Sequence, residues 1–455
     1  MMSIVTWLQV RIKKVFEKVP NERLKINFLQ ALPFWVASLI TGIIAVFYAQ
    51  LFSWAEQFSH YIIRHLHWWI FIITPACFLL SWYIVKTFAP LARGSGIPQV
   101  MASIELATPK QHDKVDRLLN LKIIVVKIIS SLISVTGGGV IGREGPTIQI
   151  AGSVFRFINV ILPKWWPKIS KQNMIMTGAA SGLAAAFNTP LGGIVFAVEE
   201  LSKRHISYFK TALFTAVIIA GLTAQALLGP YLYLGYPQIG GSGFSIFLWI
   251  IIVALLCGLL GSGMSKIILK LLKWVSSFKW TWQRMAWIIF CGLVIAATAF
   301  FINERVVGSG KEIMTETLFS DEKHIPWYYP FLRIEGLILS FATGGAGGVF
   351  APSLSAGASV GSFFAGLLHL NGPDSNLLIL AGMVAFLTGV TRTPFTSAIL
   401  VLEMTDRHNV IFHLMLAGMI AGLVSLLIDR HSFYDHLKVQ YMREVNTTSS
   451  NPPAP

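Results

Sequence analysis

The chemistry open to this chain is set by glycine-flanked segments and by the carboxylate inside one of them. Glu144 stands in Gly142-Arg143-Glu144-Gly145-Pro146, within an otherwise apolar stretch. Two further segments share that make-up: Gly94-Ser95-Gly96-Ile97-Pro98 and Gly348-Val349-Phe350-Ala351-Pro352. Each is expected to open a helix, with Pro98, Pro146 and Pro352 in the first turn, where a missing N–H is harmless. The first N–H groups of a helix have no internal partner, and with the helix dipole they attract an anion without any fixed cation. Glycine lets the backbone come close to the ion. Partial charges hold an anion and let it go, whereas a full Lys or Arg in a pore would hold it too long. The pattern therefore points to movement of an anion.

Around these segments stand a few side chains with a choice of roles. Ser95 offers a hydroxyl, as a donor to a ligand or as a helix cap. Glu144 carries the charge of the ion the site would bind. Ionised, it can fill the anion site itself; protonated, it must leave, and a free anion can take its place. The competing reading is a carboxylate that steadies the helix dipole or pairs with Arg143. Glu199 and Glu200 end a long apolar run just before Lys203 and Arg204. They read either as an interfacial pair closing a span or as a second carboxylate that hands protons toward Glu144. Lys127, Glu335, Arg392 and Glu403 are further charges within apolar stretches, expected to form structural ion pairs. Tyr434, alone, reads as an interface tyrosine. No histidine spacing suits a metal, and Cys77, Cys257 and Cys291 form no CxxC. Walker A, GxSxG and HExxH patterns are missing, so neither ATP-driven pumping nor hydrolysis has support; no enzyme activity and no cofactor are expected.

The elements that must position these groups are apolar. Of 455 residues, 54% are apolar and 13% charged, with a mean hydropathy of +0.65. A soluble chain carries roughly 25% charged residues. A cytosolic enzyme, a secreted domain and a disordered chain are excluded. The net charge of +15 comes from basic residues gathered between apolar runs. That pattern fits a membrane surface and not nucleic acid, and it places the basic head on the cytoplasmic side. The head, residues 1–25, is either a helix lying on the membrane or a solvated arm. Apolar runs from residue 32 to residue 428 make on the order of ten spans, with shorter pieces broken by glycine and proline. Broken backbone at membrane depth lines a cavity.

The chain also resembles itself. At a shift of 206, Gly138, Gly139, Gly142 and Pro146 fall on Gly344, Gly345, Gly348 and Pro352. At a shift of 204, Gly178, Leu183, Thr189, Pro190 and Glu199 fall on Gly382, Leu387, Thr393, Pro394 and Glu403. Two related halves are expected, about 26–205 and 240–430 within a transport domain of 26–430, with the site between them. The repeat alone leaves open whether the halves are inverted or parallel. Residues 431–455 are expected to hold the end of the last helix, carrying Tyr434, and a short disordered tail.

These residues resemble the CLC family of chloride channels and chloride/proton antiporters. The resemblance rests on Gly94-Ser-Gly-Ile-Pro98, Gly142-Arg-Glu-Gly-Pro146 and Gly348-Val-Phe-Ala-Pro352, with Phe187-Asn-Thr-Pro-Leu191, Leu402-Glu-Met-Thr-Asp406 and Tyr434 in support. It implies an all-α polytopic membrane protein of about eighteen tilted, partly broken helices in two inverted repeats. It implies a homodimer with one ion path per subunit. Carried over, Ser95, Tyr434 and the amides of Val349 and Phe350 resemble the chloride ligands. Glu144 resembles the external gate, and Glu200 the internal proton-transfer glutamate that transporters usually keep. The expected function is secondary active exchange of chloride for protons, with a passive voltage- or pH-gated chloride channel as the alternative. Gln99 departs from the family's frequent glutamate there. The lack of C-terminal cystathionine-synthase-like domains resembles prokaryotic members, which implies a bacterial inner membrane.

Overall fold

Inside a bilayer no water is at hand to satisfy backbone N–H and C=O groups, so an apolar chain must bond them within itself, and helices do so locally. The computed structural model describes residues 21–202, 210–229, 231–240, 243–321 and 323–447, and no strand occurs among them. The basic head up to residue 20, Lys203, Arg204 and the tail from residue 448 lie outside the described residues.

The first half comprises α1 (Glu22–Leu66), α2 (Ile70–Phe88), α3 (Ile97–Leu106), the single turn α4 (Val115–Leu118), α5 (Leu121–Thr136), α6 (Glu144–Ile161), α7 (Lys171–Phe187) and α8 (Pro190–Phe196). The helix α9 (Lys210–Leu228) follows. The second comprises α10 (Phe244–Ser276), α11 (Thr281–Phe301), α12 (Lys311–Phe319), α13 (Tyr329–Ala342), α14 (Phe350–Leu367), α15 (Gly372–Thr391), α16 (Pro394–Thr405) and α17 (Ile411–Ile428). The chain ends in α18 (Phe433–Thr447).

Seven helical stretches among the described residues are long and apolar enough to cross a membrane, the first of them covering α1 and α2 together. This is fewer than the apolar runs suggest, because α1 and α2 count as one stretch and α7, α13 and α14 are not among the seven; two runs also break. The run 175–198 stops at Asn188 and restarts at Pro190; the run 377–402 stops at Arg392 and restarts at Pro394. Asn188 and Arg392 take left-handed backbone, with φ of 56° and 66°. That conformation ends a helix, and the proline two residues on begins the next. The last segment also departs from expectation. Tyr434 lies in the first turn of α18, a helix of 15 residues, and does not close the preceding span. The buried residues Leu437, Tyr441 and Val445 recur along α18 at helical spacing and dock it on the protein.

The two halves meet through contacts that mirror one another. Gly142 and its repeat counterpart Gly348 form an antiparallel bridge, exchanging N–H···O bonds of 2.8 and 2.7 Å. Glu199 accepts from the N–H groups of Phe395 and Thr396 at 3.1 and 2.6 Å. Its counterpart Glu403 accepts from Leu191 and Gly192, at 3.0 and 2.7 Å. These pairs are equivalent at the shift of 204, so residue i meets j′ while i′ meets j. Such reciprocity is the mark of a two-fold relation, and the two segments run in opposite directions at the Gly142–Gly348 bridge. A third correspondence follows at the shift of 206. The Lys127 ammonium on α5 donates to the carbonyls of Ala92 and Gly94, at 2.8 and 2.7 Å. Arg333 on α13 donates to those of Val306, Val307 and Gly308, at 2.8, 3.1 and 3.1 Å. Lys127 and Glu403 are thus satisfied by backbone groups, not by the ion pairs expected of them. Glu335 is exposed.

Candidate functional site

Three loops converge by backbone alone. Gly94 donates to the Gly345 carbonyl at 2.8 Å and accepts from the Gly347 N–H at 3.1 Å, beside the Gly142–Gly348 bridge. The helices α3, α6 and α14 begin within a few residues of these bonds, so their free N–H groups start from one small region. The approach is as close as backbones allow. A β-carbon on Gly145 would run into the Ser95 hydroxyl and come within 2.8 Å of the Ser95 carbonyl. One on Gly348 would meet the Gly142 carbonyl at 2.9 Å and the Gly145 nitrogen at 3.0 Å. Only glycine fits at either position.

Ser95, Glu144, Val349, Phe350 and Tyr434 are each at most 1% exposed. The Ser95 and Tyr434 hydroxyls face one another, yet neither reaches hydrogen-bond geometry with any protein atom among the described residues. Both oxygens of Glu144 are in the same condition. Buried polar atoms left without partners are rare in folded proteins and mark a place where an ion or water completes the set. Phe350 lies stacked over Tyr434, ring centroids 6.3 Å apart and planes 13° from parallel. Phe187 and Phe196 also pack against Phe350, each with its ring centroid at 6.4 Å, and add apolar surface around the site.

Glu144 opens α6, but its carboxylate belongs to the other half as well. It lies beside Gly142, where Ala351 and Pro352 of α14 are the next neighbours, and it faces the Ala351 N–H. A negative group at this helix start is stabilised by the local dipole. The charges of Arg143 and Glu56 reach it, and its own charge reaches Lys311. The Glu56 carboxylate accepts from the Ser309 N–H at 2.7 Å, and the Lys311 ammonium rests over the Tyr233 ring at 4.8 Å.

Glu200 stands in a single π-helical turn, Ala197–Leu201, that extends α8. Its charge and that of Glu144 both reach the Tyr434 hydroxyl. Glu200, Glu144 and Ser95 thus all lie within reach of one hydroxyl, that of Tyr434. Glu199, one residue earlier, points elsewhere and caps α16. The two carboxylates of the pair that the sequence leaves undecided thus have different surroundings.

Sequence reasoning missed Glu56 and Lys311. A signal was present: Gly308-Ser309-Gly310 repeats the Gly94-Ser95-Gly96 pattern, with φ of 69° and 84° against 65° and 106°. Gln99 is fully buried, and its amide donates to the carbonyls of Leu91 and Arg93 at 3.1 and 2.7 Å. It braces the loop that carries Ser95. No cluster among the described residues could hold a metal ion.

A membrane protein of inverted halves, whose broken helices start from one point between them, is built as an ion-pathway protein. The chain belongs to the voltage-gated chloride channel family, whose sequence pattern matches residues 77–426. It is similar to the H(+)/Cl(−) exchange transporter ClcA of Salmonella paratyphi A, with 26% identity over 442 residues, covering 94% of this chain and 90% of ClcA. Its fold is similar to that of a slow cyanobacterial Cl−/H+ antiporter, with a TM-score of 0.79 and 24% identity, covering 92% of this chain and 99% of that one. A CLC-type fluoride/proton antiporter shares the fold at a TM-score of 0.73 and 20% identity, covering 91% and 98%.

Proposed function

We propose that this protein is a secondary active chloride/proton antiporter. The observation that carries the proposal is the buried, unpartnered set of Ser95, Tyr434 and Glu144 at the meeting of three helix starts. In this reading chloride is bound by the Ser95 and Tyr434 hydroxyls and by the amides of Val349 and Phe350. Donors without full charge bind the ion and release it. Glu144 alternates between tethered anion and proton carrier, because a carboxylate and a chloride compete for the same helix starts. Glu200 feeds protons from the cytoplasmic side. The names of the full-length relatives support exchange over a passive channel.

Further elements of the reading rest on the family resemblance: a homodimer with one path per subunit, a bacterial inner membrane, and a cytoplasmic N-terminus. The test is paired chloride and proton flux from liposomes holding the purified protein, with a chloride gradient and no proton gradient. Proton movement driven by the chloride gradient alone that persists with the voltage clamped by potassium and valinomycin establishes exchange. Chloride efflux without proton movement refutes it and leaves a channel.

A further inference from the structure

Beside the Ser95 loop lies a cleft of about 240 Å³ that the transport reading does not use. It is walled by the end of α2, by α10 and α11, by the end of α13 and by α18. Gly94, next to Ser95 in sequence, is among its lining residues. Three cations line it, Lys86, Arg93 and Arg284, against one carboxylate, Glu444. Arg93 is paired with Glu444 at 2.5 Å. Among the described residues, neither Lys86 nor Arg284 forms a salt bridge. The Lys86 ammonium rests over the Trp82 ring at 4.7 Å, and Arg284 donates to the Val275 carbonyl at 3.3 Å. The Arg93 and Arg284 charges also reach one another across the space. A surplus of positive charge facing one cavity asks for an anion. Two guanidinium groups with a lysine suit a phosphate, whose oxygens accept several N–H bonds at once.

The depth of the cleft says where that phosphate comes from. Trp274, Trp280 and Trp282 stand exposed at the end of α10 and the start of α11, on either side of the turn that leads to Arg284. Exposed tryptophans at helix ends mark the headgroup level of a bilayer. Trp82, Val85, Leu272 and Phe341 give the same cleft apolar walls, which suit the glycerol and first methylenes behind a headgroup. The chain's own head does not complement the site, since residues 11–25 carry six basic and two acidic side chains.

We propose that this cleft binds the phosphate headgroup of an anionic phospholipid. Its occupancy bears on the transport loop. The Tyr441 hydroxyl, at the cleft wall, donates to the Arg93 carbonyl at 3.1 Å, and Gly94 lies against Phe341 and Tyr441. A headgroup held by Arg93 and Arg284 steadies the turn that presents Ser95. The proposal does not rest on exchange, since a channel of this fold would carry the same cleft.

The test is native mass spectrometry of the purified protein mixed with phosphatidylglycerol or phosphatidylcholine, in wild type, Lys86→Gln, Arg284→Gln and the double variant. With about fivefold of affinity for each cation near a headgroup, the double variant is expected to retain phosphatidylglycerol about 25-fold less well. Melting temperature in detergent shows that each variant is folded, and Lys86→Gln serves alone if Arg284→Gln is not. Stepwise loss of phosphatidylglycerol, with phosphatidylcholine unchanged, upholds the site. Unchanged retention in the folded variants overturns it. Displacement of bound lipid by neither variant, together with protection by millimolar inorganic phosphate that Lys86→Gln abolishes, also overturns the lipid and assigns the cleft to a soluble phosphate.

Discussion

Removing Glu199 should loosen the molecule more than removing its repeat counterpart Glu403. Glu199 accepts three hydrogen bonds, from the Phe395 N–H, the Thr396 N–H and the Thr396 hydroxyl, at 3.1, 2.6 and 2.6 Å. Glu403 accepts two, at 3.0 and 2.7 Å. At about 1.5 kcal/mol for each bond to a charged group, the low end of the usual range, Glu199→Ala loses about 4.5 kcal/mol and Glu403→Ala about 3 kcal/mol. The Ala variants also strand N–H groups at the starts of α16 and α8. With an unfolding entropy of about 2.1 cal/mol/K per residue, a chain of this length shifts its melting point by about 1 °C per kcal/mol. Helices that survive in detergent lower that entropy and widen the shift. Melting followed by size-exclusion fluorescence should therefore fall by at least about 4 °C for Glu199→Ala and about 3 °C for Glu403→Ala. The Gln variants keep one acceptor and should lose less. If either Ala variant melts within about 1 °C of wild type, or if Glu403→Ala is the worse of the two, the reciprocal caps do not carry the stability assigned to them.

Four further outcomes are expected. Glu144→Gln should lower proton flux on the order of a hundredfold or more while chloride still moves, read by paired electrodes on the same liposomes; intact coupling in that variant would sink the mechanism. Glu200→Gln should slow proton movement with chloride movement retained, and equal loss of both would make Glu200 structural. Ser95→Pro removes a hydroxyl and an N–H from the ion site and should shift preference toward nitrate; an unaltered anion order in competitive efflux speaks against Ser95 as a ligand. Lys127→Met strips the Ala92 carbonyl of its ammonium donor and leaves the Gly94 carbonyl with the Gly347 N–H alone, and should cost about 2 kcal/mol, with weaker chloride-dependent thermal protection.

The sequence made the helix starts legible because each carries glycine and proline at positions where only a few backbone conformations are open. Composition made the membrane legible. The internal shift of 204 located the cap residues without saying what they cap, since a carboxylate that meets N–H groups looks the same in sequence as one awaiting a lysine. For this reason Lys127 and Glu403 were open to misreading as ion-pair members. The different surroundings of Glu199 and Glu200 arise in a π-helical turn, which shifts the helical register of the side chains and has no compositional signature. Helix α18 was missed because its polar face and length fit a tail as well as a docked helix. What holds it is contact with distant segments, such as Lys438 on Glu105 at 2.7 Å.

Because each half holds the cap that the other half's helix needs, neither is a self-sufficient folding unit. A fragment ending near residue 202 would carry α8 without Glu403, and a fragment beginning near residue 243 would carry α16 without Glu199. In a membrane such bare helix ends have no water to fall back on. The two must be made together, or one must wait for the other at the ribosome. The same reciprocity describes how such a chain could arise by gene duplication. A single ancestral half could satisfy its helix only by docking on a second copy inserted upside down. Fusing two such copies would make that dependence permanent.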